Sequence, residues 1–365
     1  MNRKVFCLLG LPIDIVSMRE TVDAVRAAIR EQRRLFVSTP NLNFLIACQA
    51  DEAFRRSVIE SDLSVADGMP LVWMSRMLGI PLPERVTGSG LFESLRGNPP
   101  PPGDTPIRVF IFGGPPGAAQ AAGERINAHS PGMRCVGYET PGFGSVADMS
   151  GDDLMQRIEQ SGADFLLVAL SAQKAQAWIM HNRARLTVPV ICNMGAVVNF
   201  EAGTVRRAPL WLQRTGLEWV WRIWEEPMLW RRYWRDGKAC LRLAFLQLLP
   251  YVLWLRLHRP APSAQPVIQY RHDAQGSHVA IVGPVPDSIP QALRESIDRA
   301  LAREGDLTID LTALTYLGPC FAGEMLTLES RLKARGDTLR LVGLSARTRR
   351  LLDWNGIRKD FSGAA

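Results

Sequence analysis

Four polar clusters interrupt apolar runs in the first third of the chain, and each holds residue types that could do chemistry. In DLSVADGMPLVW (62–73), Asp67 stands between two apolar segments. Aspartate is mostly exposed in folded proteins and is buried only when paired. This carboxylate therefore either caps a turn or serves as a catalytic or ligand-orienting group held in a cleft. Thr39-Pro40-Asn41, closing the short run Leu35–Ser38, offers the same two readings: a cap for the next helix, or a second wall of the same site. Arg85-Val86-Thr87-Gly88-Ser89-Gly90 adds a guanidinium and a glycine-bracketed hydroxyl before a helical pattern. Backbone amides at such a helix start can hold phosphate oxygens. Gly113-Gly114-Pro115-Pro116-Gly117 is a glycine-rich turn that lets a nucleotide approach the backbone, although it lacks GxGxxG spacing and a Walker lysine–hydroxyl pair.

Three of these clusters fall at the ends of predicted strands, and the Arg85–Gly90 loop precedes a predicted helix. Residues 3–16 read as a first strand, since Asp14 breaks the apolar run and no clear signal-peptide cleavage site follows. Residues 19–33 read as an amphipathic helix and 35–38 as a strand. Residues 42–60 have helical spacing, with Phe44, Leu45, Ala47 and Cys48 inward and Arg55, Arg56 and Glu60 outward. A strand at 63–66 precedes a helix running through Met77, and 107–129 is strand, turn and helix. Residues 135–144 are a strand entering a loop, 163–186 a strand, turn and helix, and 189–200 another buried strand. Strands alternating with helices at this spacing predict parallel βαβ units in an open α/β sheet. Ligands of such sheets bind beyond the carboxyl ends of the strands, which is where Thr39, Asp67, Gly113, Gly114 and Ser171 fall.

A length of 365 residues makes two domains the natural expectation. With 47% apolar and 22% charged residues the composition is that of a globular protein rather than a disordered one. The net charge of +7 points to an anionic partner. Six scattered cysteines without a CxxC pair argue against a disulfide framework and a structural zinc site, and the five histidines show no metal spacing. Near residue 205 the character changes: Arg206, Arg207, Arg214, Arg222, Arg231, Arg232 and Arg235 interleave with six tryptophans. The apolar stretch 239–257 follows, carrying Arg242, Pro250 and Arg256. These fit a helix lying in the membrane interface better than one crossing the bilayer, and tryptophan spacing beside an apolar run favours lipid over nucleic acid. RPAPSAQP (259–266) is a linker, and a small separate α/β unit follows. The expected organisation is an α/β domain over 1–204, a basic aromatic helical appendage over 205–258, the linker, and a tail domain over 267–365.

In this order the segments resemble the WecG/TagA/CpsF family of bacterial glycosyltransferases over about residues 5–237. The carriers are STPNLNFLIAC, ADGMPLVWMSRMLGIPLPERVTGSGL, VFIFGG, PGMRCVGYETPGFG and, most specific, GAVVNFEAGTVRRAPLWLQRTGLEWVWRIWEEPMLWRRYW. The resemblance implies a Rossmann-like scaffold and inverting transfer from a UDP-sugar to a polyprenyl-diphosphate-linked saccharide at the cytoplasmic membrane face, with no essential metal or cofactor. It implies Asp67 as general base and Thr39 and Asn41 as active-site residues. Arg85, with Thr87 and Gly88 in its loop, and Gly113 and Gly114 would serve the departing nucleotide. Arg207, Arg222, Arg231 and Arg232 would meet the lipid diphosphate. Where the family shows G-x-P-K-Q-E, this chain reads Ser171-Ala172-Gln173-Lys174-Ala175-Gln176, which keeps Lys174 as a substrate-binding candidate and replaces the Gln-Glu pair. Phe143, Met228 and Leu229 also depart from the pattern. The tail, through LTIDLTALTYLG and RLKARGDTLRLVGLSARTRRLLDWNGI, resembles a STAS domain. Gly318-Pro319-Cys320 stands where antagonist members of that fold carry a phosphorylatable serine, so the tail reads as a packing, partner-docking or self-associating module. The expectation is a membrane-peripheral, cytoplasmic, UDP-sugar-dependent glycosyltransferase of surface or exopolysaccharide synthesis. The competing expectation is a catalytically degenerate scaffold that recruits partners through the tail.

Overall fold

The computed structural model describes residues 3–261, 263–274, 276–286, 288–357 and 361, and the side chains of Leu210 and Arg214 lie outside the described set. Two compact units divide the chain: Val16–Val72 with Pro83–Gly237, and Met1–Ile15 with Trp73–Leu82 and Lys238–Ala365.

Residues 3–16 form a hairpin rather than one strand. β1 (Val5–Leu8) and β2 (Leu11–Asp14) pair antiparallel with Leu8 opposite Leu11. Leu9 and Gly10 make the loop with φ of 49° and 91°, the positive pair that suits a two-residue hairpin.

In the larger unit, α1 (Met18–Arg30) starts at a Ser17–Glu20 capping box and leads to β3 (Leu35–Ser38). The helical pattern of 42–60 splits into α2 (Leu42–Ala50) and α3 (Glu52–Ile59), because the Asp51 carboxylate caps α3 by accepting from the Phe54 amide. Arg55 is buried rather than outward. β4 (Leu63–Ser64) and α4 (Met69–Met77) follow, then α5 (Gly88–Gly97), β5 (Ile107–Gly113), α6 (Ala118–His129) and β6 (Met133–Glu139). Next come α7 (Asp152–Gln160), β7 (Phe165–Ala169), α8 (Ala172–Asn182) and β8 (Val190–Asn193). The predicted strand 189–200 is strand only to Asn193, its remainder being the start of α9 (Gly195–Ala202).

The six strands make one sheet in the order β4-β3-β8-β7-β5-β6, parallel throughout. Both faces are covered, so the strands read as unbroken apolar runs. Val109 and Ile111 point into a core shared with α1, α5, α6 and α9. Phe110 and Phe112 alternate to the other face, against α7 and α8, where Phe112 stacks on buried Trp178 at 4.4 Å. β5 and β7 are neighbours whose following helices diverge, α6 leading out to β6 and α8 back to β8, which makes a switch point at their carboxyl ends.

Two short helices, α10 (Leu210–Thr215) and α11 (Glu218–Glu225), carry the Trp/Arg segment. Pro227–Leu257 is one helical run that includes α12 (Trp230–Leu243) and α13 (Leu249–Leu257), and by length and composition it could cross a membrane.

In the smaller unit β9 (Val267–Asp273) pairs antiparallel with β10 (Gly276–Val285). α14 (Gln291–Leu301) leads to β11 (Leu307–Asp310) and β12 (Leu314–Leu317), both parallel to β10. The β10 register shifts at Gly283/Pro284, where proline has no amide to donate. α15 (Pro319–Lys333), β13 (Leu339–Val342) and α16 (Ala346–Trp354) complete it. The N-terminal hairpin belongs to this unit. A Cβ at Gly323 of α15 would stand 2.5 Å from the Val5 carbonyl oxygen, so the bare glycine lets β1 lie against the helix. The Cys7 thiol donates to the Asn355 carbonyl at 3.4 Å. On α13, the buried Tyr251 hydroxyl donates to the Leu317 carbonyl at 3.2 Å.

Candidate active site

Three loops at the carboxyl edge of the sheet converge on the first turn of α5. Asp67 lies just after β4, and its backbone amide donates to the Pro40 carbonyl at 2.8 Å. Its carboxylate accepts from the Gly88 amide at 3.0 Å. A Cβ at Gly88 would meet Thr39 Cγ2 at 3.3 Å and Met194 Cγ at 3.4 Å, so glycine is what fits there. Thr39 in turn donates its hydroxyl to the Asn193 carbonyl at 3.3 Å. The ends of β3, β4 and β8 are thereby held together around one carboxylate.

Two of the candidates act as caps. Asn41 accepts from the amides of Asn43 and Phe44 at the start of α2, with its Cβ 3.5 Å from where a Gly68 side chain would begin. Thr87 accepts from the Gly90 amide at 2.9 Å at the start of α5.

Charge around Asp67 is mixed. Burial pushes its carboxyl up from 3.8 to about 7, against the pull of the Gly88 N–H; the Glu218 carboxylate raises it further, while Arg85 and Arg222 lower it. Desolvation disfavours the charged form, and the result is a carboxyl poised at neutral pH. Arg85 pairs with Glu218 at 3.4 Å, both half-buried, and the Arg222 guanidinium sits 5.9 Å from the Phe200 ring centroid. Glu218 was not singled out from the sequence. Its only signal is GLEW, a carboxylate at the start of a Trp/Arg helix, which reads as surface charge until α11 brings it to Arg85.

Of the remaining candidates Arg207 reaches the first turn of α5, its Nη2 3.9 Å from where a Gly90 side chain would begin, whereas the glycine pair and Lys174 belong to other segments. Three strand spacings separate β3 from β5, roughly 14 Å, so Gly113 and Gly114 bound the other half of the edge. Their backbones lock β5 onto β7: a Cβ at Gly113 would be 2.6 Å from the Ala169 oxygen, and the Gly114 amide donates to that oxygen at 2.8 Å. The amides of Gly88 and Gly114, read from the sequence as free phosphate donors, are therefore already engaged. In the first turn of α5, Ser89 has the amide without a hydrogen-bond partner among the described residues. Lys174 donates to the Gly144 carbonyl at 2.8 Å, clasping the loop that carries fully exposed Phe143. Arg207 is ion-paired with Glu93 of α5. Arg231 is exposed beside the Trp230 ring, and Arg232 is half-buried beside that of Tyr233.

Ala175 and Gln176, where the sequence departs from the family pattern, are both fully buried on α8. Gln176 donates to the Ser38 hydroxyl at 2.9 Å, next to Thr39. That departure therefore changes packing behind β3. No group of three or more His, Cys, Asp or Glu side chains suited to a metal ion occurs among the described residues.

A parallel α/β sheet that holds a neutral-poised carboxyl beside arginines at its carboxyl edge can carry acid–base chemistry on a bound ligand. The chain belongs to the glycosyl transferase WecG/TagA/CpsF family, whose family model matches residues 6–252. Residues 268–359 match the Mlab, STAS domain. Among similar proteins is an N-acetylglucosaminyldiphosphoundecaprenol N-acetyl-beta-D-mannosaminyltransferase of Bacillus spizizenii, 27% identical over 202 residues, 55% of this chain and 76% of that protein. The protein of the same name from Staphylococcus aureus is 23% identical over 223 residues, 59% of this chain and 82% of that one. The family match begins inside the hairpin that packs with the STAS-like tail.

Proposed function

We propose that the chain transfers a sugar, with inversion, from a UDP-sugar to a polyprenyl-diphosphate-linked saccharide in cell-surface polymer synthesis, with an N-acetylhexosamine as the donor sugar. The observation that carries this is Asp67, a carboxyl raised to about 7 at the strand ends, beside Arg85 and Arg222. An acceptor hydroxyl is a poor nucleophile and must lose its proton as the glycosidic bond forms. A base whose pKa matches the operating pH takes that proton most effectively. The Gly88 amide engages one carboxylate oxygen, and the other is the one that would take the acceptor's proton. As the bond to the departing UDP breaks, negative charge grows on the leaving phosphate. Arg85, Arg222 and the Ser89 amide would offset it. The names of the similar proteins, which act on a diphosphoundecaprenol-linked N-acetylglucosamine, support the acceptor class.

The reaction takes place at the cytoplasmic membrane surface, with the chain peripheral to it and without a required metal. Supporting a peripheral position, the long helix buries Tyr251, Val252 and Leu255, and Tyr251 is bonded to a strand of the tail unit. A helix committed on one face to a water-soluble core is poorly suited to span. Burial of Ala175 and Gln176 in the protein interior supports an active enzyme over a degenerate scaffold.

The test is UDP release from a panel of UDP-N-acetylhexosamines with a short lipid-diphosphate N-acetylglucosamine acceptor. The wild-type chain turns over with at least one donor, and Asp67→Asn loses about 10²–10⁴-fold in rate, the usual worth of a general base. No release across the panel, or an Asn variant as fast as wild type, overturns the proposal.

A further inference from the structure

The helix that ends at Leu257 presents an unpartnered apolar face. Leu241, Phe245, Leu246, Leu249, Leu253 and Leu257 are all exposed, at spacings that keep them on one side of a helix. Between Asp236 and Asp273 there is no carboxylate, while Lys238, Arg242, Arg256, Arg259 and Arg271 all occur. Directly after Leu257, His258 joins Trp254 in lining a pocket of about 340 Å³, whose other wall is Arg347, Arg350 and Trp354 of α16. Among the described residues, no acidic side chain lines it. Among the described residues, neither Arg347 nor Arg350 has an ion-pair partner.

Two guanidiniums that face one cavity without an ion-pair partner among the described residues suit an anion, and the planar forks of arginine fit phosphate. On the aromatic wall, Trp254 is already stacked by His258 at 4.8 Å and Tyr316 at 5.4 Å, both nearly parallel to it. The neighbouring surface is the exposed leucine face, which suits an acyl chain and is flanked only by cations. We propose that the pocket between α13 and α16 binds the phosphate of an acidic phospholipid, so that the tail unit itself docks the chain on an anionic lipid surface. This goes beyond the sugar-transfer reading and does not depend on it.

The experiment is co-sedimentation of the full chain with phosphatidylcholine vesicles, with and without phosphatidylglycerol, which involves no sugar transfer. The Arg347→Ala/Arg350→Ala variant binds the anionic vesicles about twenty-five-fold more weakly, at about fivefold for each arginine near a charged surface. An Arg303→Ala/Arg349→Ala variant removes the same charge from exposed positions of the same unit outside the pocket. It changes binding by less than about threefold, and both variants keep the wild-type melting midpoint. Equal loss in the two variants, no loss in the pocket variant, or full competition by inorganic phosphate at matched phosphate concentration would each overturn the proposal.

Discussion

Asp67→Asn separates a working carboxyl from a structural one through stability as well as rate. The asparagine keeps an oxygen that can accept from the Gly88 amide, so the loop geometry is retained. What it removes is the cost of ionisation in a desolvated place. The interval from 3.8 to about 7, at about 1.4 kcal/mol per pH unit, makes that cost about 4 kcal/mol in the folded state. Between those two values folded wild type binds a proton that the unfolded chain has released, so its stability falls as pH rises through the window and levels off above it. The variant lacks this fall. Its stability relative to wild type should be near zero at about pH 4, climb through neutrality, and reach about 4 kcal/mol by about pH 8. Urea unfolding of both proteins across this range measures the difference, with UDP release at the alkaline end as the second readout. A difference that stays flat with pH would refute the claim that the carboxyl is desolvated, and the general-base argument with it.

Removing the neighbouring charge should move the same titration. Glu218→Gln takes away a carboxylate that raises Asp67, so the acid limb of kcat/KM, near 7 in wild type, shifts to lower pH. A Glu218 that merely braces Arg85 would lower kcat/KM without moving the limb. Gly323→Ala drives a methyl toward the Val5 carbonyl and should cost about 1–3 kcal/mol, as overpacking does, read as a lower melting midpoint; an unchanged midpoint would show that β1 does not lie on α15. Treatment with EDTA should leave UDP release unchanged, and a rate restored only by added divalent ion would refute the metal-free reaction.

Much of the site was legible because polar residues at strand ends stand out against strands buried on both faces. Asp67, Thr39 and Gly88 each interrupt an apolar run, and the βαβ rhythm places their loops on one edge. Glu218 was not legible, since nothing local distinguishes a carboxylate that will meet Arg85, 133 residues earlier, from one that will meet water. Leu9 hid the hairpin, because leucine is not a turn residue and its positive φ is imposed by strand pairing on either side. Asp51 broke a helix whose apolar spacing ran straight through it, a cap outweighing periodicity. The glycine pair at 113–114 suggested phosphate, and its actual use, letting β5 press against β7, follows from sheet order, which periodicity cannot supply.

The hairpin also sets a schedule for biosynthesis. Val5, Phe6, Leu8, Leu9, Leu11 and Ile13 are synthesised long before Gly323 of α15 and Gly356, the positions against which the hairpin closes. At about 5–20 residues per second, this greasy ribbon waits roughly 20–70 s for its cover. A chain that stops before α15 leaves it bare.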